Sequence, residues 1–491
     1  MSAWRTDGPT GAPHARPRRA VALVDGEHYP QVTRAALREL AEGGTRTVAA
    51  LVLGGTEKVA RHGAHVDVGV PATWAPRVGA SGGGVAEVAA PALDGLLREH
   101  RPDAVVDLSD EPVLDQRQRL RLASRVLLAG VAYEGADFRL WPPPRPRVAA
   151  RPTVAVIGTG KRTGKTAVAA ELARALGRAG VTPVIVAMGR GGPPRPVVVP
   201  AGARLDARAL LAVADAGGHA ASDFYEDAVT TGAATVGARR CGGGLAGGVG
   251  YSNVDRAVRL ADGLPGDVTL LEGSGAAVPP VHADATALVV PGDCDPSLLC
   301  DQLGPYRVLL ADEVVVTMGE LPRSSPQQVA SVVGAIRSIA RNTPVVRTTF
   351  RPHPLGPVSG ARVFFATTAP AAASRSLAAF LEQRHGCQVV AWSNDLADRP
   401  ALSSALEAAG AFDVLLVELK AAAVDVAVRT AAALGVRVVF CDNRPVTTDG
   451  EDDRGTEVEG DTGLRAVADR LYRRARERFS GRASAGVDRR E

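Results

Sequence analysis

The chain has 491 residues, 46% of them apolar and 22% charged, and a formal net charge of +4. That length exceeds one ordinary hydrophobic core, so two or three domains are expected. The near balance of charge gives no case for a nucleic-acid or membrane-surface partner, no run of 18 apolar residues exists to span a bilayer, and five cysteines without a C-x-x-C pair argue against a zinc site or a disulfide framework.

Residues 1–18, rich in Pro, Gly, Arg and His with no apolar h-region, read as a disordered tail ahead of a cytoplasmic protein. The apolar run Ala20 to Val24 ends at Asp25-Gly26, as a buried parallel strand would. A helical pattern from Val32 to Ala41 follows, then strands at Thr47 to Leu53 and Ala104 to Leu108, then an arginine-rich amphipathic helix from Leu114 to Ala129. The alternation argues for a parallel sheet with helices on both faces. Trp141 to Arg147 carries too much proline to continue either element and reads as a stiff connector.

A second alternation opens with the strand Thr153 to Ile157, a Gly-rich turn and a helix from Lys165 to Arg178. The strand Thr182 to Ala187 ends at Met188-Gly189-Arg190. Periodicity is weak from Pro193 to Val254, a stretch that holds the acidic helical start Asp223-Phe224-Tyr225-Glu226-Asp227 and a glycine-rich run, Gly237 to Gly250, that reads as a candidate lid. A helix at Val254 to Ala261 leads to strands at Asp267 to Leu271, Ala285 to Val290 and Glu313 to Thr317, a helix at Pro326 to Ala340, and a strand at Pro344 to Arg347. The third alternation has strands at Arg362 to Ala366, Gln388 to Ala391, Asp413 to Val417 and Arg437 to Cys441, with helices at Ser374 to Gln383, Pro400 to Ala408 and Ala421 to Ala433. The expected fold is α/β: a P-loop NTPase-type parallel sheet core, an N-terminal Rossmann-like α/β domain and a C-terminal α/β segment. The expected boundaries are 19–140, a linker at 141–150, 151–347 and 348–446, with a charged tail at 447–491 holding one short helix at Gly463 to Glu477.

The chain uses only four lysines, Lys58, Lys161, Lys165 and Lys420, and two of them stand in one turn: Gly158-Thr159-Gly160-Lys161-Arg162-Thr163-Gly164-Lys165-Thr166. A strand, a Gly-rich turn and Gly-Lys-Thr opening a helix form the P-loop arrangement. Glycines let backbone N–H groups curl around an anion, and the helix N-terminus adds its dipole. Lys165 would reach the β- and γ-phosphates of ATP, and the Thr166 hydroxyl would bind Mg²⁺. The strict pattern is not met, because the position five before Gly164 is Thr159 and the glycine is one earlier. The spacing instead resembles the dethiobiotin synthetase branch, in which the Mg²⁺-binding acid sits in a Glu-Gly-x-Gly context; here that is Glu272-Gly273-Ser274-Gly275. Lys161 and Arg162 would face bound phosphate and stabilise charge shifting onto bridging oxygens, so with Lys165 they are the expected catalytic residues. Asp223 is a second expected metal ligand, with a helix-capping carboxylate as the alternative role.

Together with Val24-Asp25-Gly26-Glu27-His28-Tyr29-Pro30, Met188-Gly189-Arg190-Gly191-Gly192-Pro193, Ser222 to Asp227 and Gly237-Ala238-Arg239-Arg240-Cys241-Gly242-Gly243-Gly244, this loop resembles the cyclic 2,3-diphosphoglycerate synthetase family from about Val21 to about Thr447. The resemblance implies ATP-driven closure of an intramolecular pyrophosphate in 2,3-diphosphoglycerate, giving ADP and phosphate, and an N-terminal domain distinct from the P-loop domain. A substrate with two phosphates and a carboxylate carries about four to five negative charges, so arginine and histidine at strand ends are the candidates to hold it: His28, Arg190, Arg239 and Arg240. The expected partner is thus a small phosphoglycerate, with a homodimer as the expected assembly. A 2-phosphoglycerate kinase, a carboxylate ligase like dethiobiotin synthetase, and a P-loop switch ATPase are the competing readings.

Overall fold

The structure is a computed structural model that describes residues 17–54, 67–76, 78, 84–419, 423–448 and 462–487. Lys58, Lys420 and all but the last two residues of the expected N-terminal tail lie outside these. The chain divides into two compact units, 1–143 with 297–310, and 144–296 with 311–491.

The first unit is a six-stranded sheet. β1 (Arg18–Val24), α1 (Pro30–Glu42), β2 (Thr45–Val52), β3 (Ala72–Trp74), α2 (Val85–His100), β4 (Ala104–Asp107), α3 (Gln116–Leu128), β5 (Ala132–Glu134) and β6 (Arg139–Leu140) follow in order. The strands lie as β3-β2-β1-β4-β5-β6, parallel except for β6. Ala20, Ala22, Val24, Ala50, Val52 and Val106 form its core against Leu37 and Leu40 of α1. The chain leaves β1 toward β2 on one side and returns to β4 on the other, so the loops after β1 and β4 flank the switch of strand order. Asp25 pins them together: its Oδ2 accepts the Asp110 N–H at 2.7 Å. Helix α2 and strand β5 are absent from the sequence expectation; Pro91 inside α2 interrupts the helical reading.

The second unit begins with β7 (Thr153–Gly158), α4 (Lys165–Arg178), β8 (Pro183–Gly189), β9 (Val197–Val199), α5 (Ala207–Asp215), α6 (Asp223–Thr231), β10 (Ala234–Cys241), β11 (Tyr251–Ser252), α7 (Val254–Asp262), β12 (Val268–Glu272) and β13 (Ala285–Pro291). Two short helices, α8 (Ser297–Cys300) and α9 (Gly304–Leu310), belong to the first unit, where Arg117 of α3 pairs with Asp301 at 2.7 Å. The second unit resumes with β14 (Glu313–Thr317), α10 (Pro326–Ile339), β15 (Val345–Pro354), β16 (Arg362–Ala366), α11 (Ser374–His385), β17 (Gln388–Ser393), α12 (Arg399–Ala408), β18 (Val414–Glu418), a π-helical turn at Ala423–Val428, α13 (Arg429–Leu434), β19 (Arg437–Thr447) and α14 (Thr462–Val487).

These strands form one 13-stranded sheet, ordered β11-β10-β8-β12-β7-β13-β14-β15-β19-β18-β16-β17 with β9 on β10. Strands on both sides of residue 347 share it, because β15 runs on past Arg347 and pairs antiparallel with β19 from Thr348 to Pro354. The glycine-rich run is also resolved differently from a continuous loop: Gly237 to Cys241 belongs to β10, and only the residues after it form a turn. Strands β7, β12 and β14 are buried along their whole length, as strands covered on both faces are, and most of their residues are apolar.

The largest difference lies at the C-terminus. The expected charged tail contains the 26-residue helix α14, and Leu464, Val467, Ala468, Leu471 and Ala475 bury one face of it among Val168, Leu172, Leu176 and Val289. Its basic face is equally fixed. Arg470 forks onto Glu313 at 2.7 and 2.8 Å, and Arg474 and Arg478 hold Asp312. Leu471→Ala should therefore lower unfolding stability by about 2–5 kcal/mol, measured by urea denaturation; a loss no larger than that of an exposed-site change would mean α14 does not belong to the core.

Candidate functional site

The phosphate-binding turn runs from the end of β7 into α4. Gly158 is buried, and a Cβ there would stand 2.7 Å from Thr163 Oγ1 and 3.0 Å from Lys165 Cδ. Thr159 N–H donates to Val289 O at 3.4 Å. Gly164 caps α4 with φ +89°, a left-handed conformation open to glycine. Arg162 takes φ +61°, uncommon for a residue with a side chain, and it and Lys161 are exposed. Lys165 is only 7% exposed; its Nζ donates to Gly160 O at 2.7 Å and Thr163 Oγ1 at 3.3 Å. The turn thus combines a helix N-terminus, closely packed backbone and a sheltered ammonium group, which is the chemistry of an anion site.

Thr166 faces the end of β12, where its Oγ1 donates to Glu272 Oε1 at 2.5 Å. Glu272 is buried, and its Oε2 has no hydrogen-bond partner. Beside it stands Asp227 of α6, fully buried, within hydrogen-bonding reach of the Glu272 carboxyl and with no other donor for its oxygens among the described residues. Burial, then the charge of Asp223, pushes the Glu272 carboxyl up to about 8, against the opposing hydrogen bond from Thr166. Burial, then the charge of Glu272, pushes Asp227 well above the ordinary carboxylate range. Two adjacent buried acids that receive only one donor from the rest of the described protein, Thr166, suit a hard cation that takes oxygen ligands. Among the described residues no three His, Cys, Asp or Glu side chains converge as a closed metal cage.

On the other side of Glu272, two arginines meet. Arg190 follows β8, and Arg240 lies near the end of β10. Gly275, with φ +60°, brings backbone so close that a Cβ would stand 2.9 Å from Arg190 Nη2 and 3.1 Å from Arg240 Nη2. Arg240 is 8% exposed; it donates to Ser274 O at 2.7 Å and Gly242 O at 3.1 Å, while its Nε has no partner. Burial, then the charge of Arg190, lowers its pKa. Two guanidinium groups facing each other form a site that calls for an anion. Arg239 points elsewhere: its Nε donates to Gly192 O at 2.9 Å, and its N–H donates to Asn253 Oδ1 at 2.7 Å.

Of the residues nominated from sequence, the second unit therefore assembles Gly158 to Thr166, Glu272, Asp223, Arg190 and Arg240 around the C-terminal ends of β7, β12, β8 and β10. Asp223 opens α6 and is partly exposed, so the deeper acid is Asp227. The helical stripe Phe224, Asp227, Ala228 carried that signal, since an acid flanked by apolar residues at helical spacing faces inward. Asn253, which also donates to Pro193 O and Pro194 O at 3.2 Å, was not anticipated. His28 belongs to the first unit, where its Nδ1 lies 2.7 Å from Asp25 Oδ1.

A carboxyl whose folded pKa is raised contributes stability that is complete below its unfolded value and lost as pH rises through the folded one. The melting temperature of the ligand-free protein should therefore fall as pH rises from about 5 to about 8, and Glu272→Gln should flatten the fall and raise the melting temperature at the upper end. The same slope in the variant as in the unsubstituted protein would refute the burial of Glu272 as an unpaired acid.

Three family models match the chain: the N-terminal domain of cyclic 2,3-diphosphoglycerate synthetase over residues 19–141, its P-loop domain over 153–349 and its C-terminal domain over 354–444. Proteins named cyclic 2,3-diphosphoglycerate synthetase are similar over most of their length. The one from Rubrobacter xylanophilus is 46% identical over 431 residues, 87% of this chain and 94% of the relative. That from Methanothermobacter thermautotrophicus is 41% identical over 456 residues, 91% and 97% of the two chains. That from Thermococcus kodakarensis is 41% identical over 448 residues, 89% and 97%. No helix among the described residues is long and apolar enough to cross a membrane. With a P-loop domain, an α/β fold and relatives of one name across nearly its whole length, the chain belongs to the cyclic 2,3-diphosphoglycerate synthetase family.

Proposed function

We propose that the protein uses ATP to close the intramolecular pyrophosphate of cyclic 2,3-diphosphoglycerate, with 2,3-diphosphoglycerate as substrate and ADP and phosphate as the other products. The observation that carries this reading is the facing pair Arg190–Arg240 at the same sheet edge as the phosphate-binding turn. One cationic feature holds a nucleotide polyphosphate, and the other holds a second highly charged anion.

The turn Gly158 to Thr166 wraps the ATP phosphates with backbone N–H groups, and Lys165 exchanges its carbonyl partner Gly160 O for the β- and γ-phosphates. Thr166, Glu272 and Asp227 hold Mg²⁺, with Asp223 at the rim. The ion supplies charge neutralisation for the polyphosphate when bound. Arg190 and Arg240 orient the substrate so that an oxygen of one of its phosphates attacks the γ-phosphorus. The bond from that phosphorus to the β-bridging oxygen breaks, and ADP leaves. An oxygen of the other substrate phosphate then attacks the substrate phosphorus just modified, and inorganic phosphate departs as the ring closes. The substrate supplies both nucleophiles, so the protein contributes positioning and charge stabilisation, with Lys161 and Arg162 over the transferring group.

Phosphorus NMR of a reaction containing ATP, Mg²⁺ and 2,3-diphosphoglycerate should show a cyclic diphosphate, ADP and phosphate. A terminal phosphate ester formed from 2-phosphoglycerate, with no cyclic product, would favour the kinase reading. Lys165→Ala should abolish turnover. Arg190→Ala should raise KM for the diphosphate about tenfold or more, the size of one charge-assisted hydrogen bond, and leave nucleotide affinity near its original value. Equal loss of both affinities would contradict the separation of the two anion sites.

A further inference from the structure

The proposed function puts the γ-phosphate end of ATP toward Glu272 and the Arg190–Arg240 pair, on the side of β7 that runs β12, β8, β10. The nucleoside at the other end of the polyphosphate then lies across the opposite side, over β13, β14 and β15. With strands ~4.8 Å apart, the end of β14 and the part of β15 just past its pairing with β14 stand about 10–14 Å from β7, within reach of a ribose and base.

The residues there are tied to the phosphate-binding turn and take no part in the phosphoryl chemistry described above. Thr317, the last residue of β14, donates from Oγ1 to Thr163 O at 2.8 Å. Met318 then turns at φ +55°, a conformation uncommon for a residue with a side chain. Two hydrogen bonds hold the turn in place: Ser324 Oγ to Met318 O at 2.6 Å, and Gly319 N–H to Thr348 O at 2.9 Å. The turn presents Glu320. From β15, Phe350 lays its half-buried ring on Gly164, where a Cβ would collide with the ring edge. Arg351 grips Glu320 in a fork, Nη1 on Oε1 and Nη2 on Oε2, the latter at 3.1 Å. The Arg351 guanidinium lies 5.8 Å from the centre of the Phe380 ring.

We propose that Phe350, Glu320 and Arg351 form the base subsite, and that the Glu320–Arg351 pair selects adenine over guanine. Phe350 supplies a flat apolar face at the mouth of the phosphate turn, the surface on which a base stacks. The selection follows from lone pairs. Guanine offers two parallel donors, N1–H and the 2-amino group, which a carboxylate takes best with both oxygens at once. In this protein Arg351 already occupies that two-oxygen face of Glu320. An outward lone pair remains, which suits the single 6-amino group of adenine. Arg351 thus acts on the base through Glu320, as a positioning residue.

The inference rests on the nucleotide reading, and calorimetric titration of the full-length protein with Mg²⁺-ADP and Mg²⁺-GDP separates the two. The original protein should prefer ADP. Arg351→Ala should shift the ADP-to-GDP affinity ratio toward GDP by about tenfold or more. Phe350→Ala should weaken both nucleotides together by about tenfold. Phe350→Leu, which keeps an apolar contact on Gly164, and a thermal melt of each variant distinguish loss of stacking from loss of folding. An unchanged ratio in both Arg351→Ala and Glu320→Gln, or unaltered ADP binding in both Phe350 variants, overturns the base subsite while the ATP reading stands. An original protein that binds neither nucleotide overturns both.

Discussion

Two buried carboxyl groups, Asp227 and Glu272, stand side by side at the N-terminal end of helix α4, close enough to share a proton, and three of their oxygens accept no hydrogen bond from any other described residue. Neither can ionise freely there, because burial favours the neutral acid in both, reinforced by the charge of Glu272 at Asp227 and of Asp223 at Glu272. A fold that keeps such a pair does so at a cost in stability, and the cost is recovered when a cation enters. On the proposed reading this constraint organises the site. It fixes where the metal sits, hence which way the polyphosphate runs, hence on which side of β7 the second anion and the nucleoside lie.

The sheet makes that directional arrangement possible. Parallel strands deliver their C-terminal ends to one edge, and ligands of open α/β sheets collect there. Going outward from β7 in one direction, the ends of β12, β8 and β10 carry an acid and then arginines. Going the other way, the turn after β14 carries Glu320, and β15, just past its pairing with β14, carries Phe350 and Arg351. Helix α14 lies against α4, the helix that begins at Lys165, and fills the apolar space beside it. An element beyond the C-terminal family domain, which ends at residue 444, therefore buttresses the phosphate-binding helix.

Much of this was legible in the sequence for a simple reason. Most of the parallel strands contain an apolar run that ends near glycine or acid, and the P-loop signals itself by a strand before it and an amphipathic helix after it. The harder features depend on contacts between distant residues. Strand β15 continues through Pro352 and Pro354, residues that argue against a strand until an antiparallel partner, β19, accepts them. Helix α14 carries enough arginine to read as a tail, and Asp312 and Glu313, more than 150 positions away, give three of those charges a place. Asp223 drew attention because it opens a helix, whereas the acid that faces Glu272 is one turn further on. The pairing of Glu320 with Arg351 has no local signature at all.

The most direct test of the cation-dependent acid pair is the number of protons released when magnesium nucleotide binds. Titration calorimetry of Mg²⁺-ADP binding near neutral pH, repeated in buffers of different protonation enthalpy, measures it, and the same experiment on Glu272→Gln removes the contribution of the nucleotide itself. The account predicts that the original protein releases roughly one proton more than the variant. Tight binding with no difference in proton release between the two would contradict it.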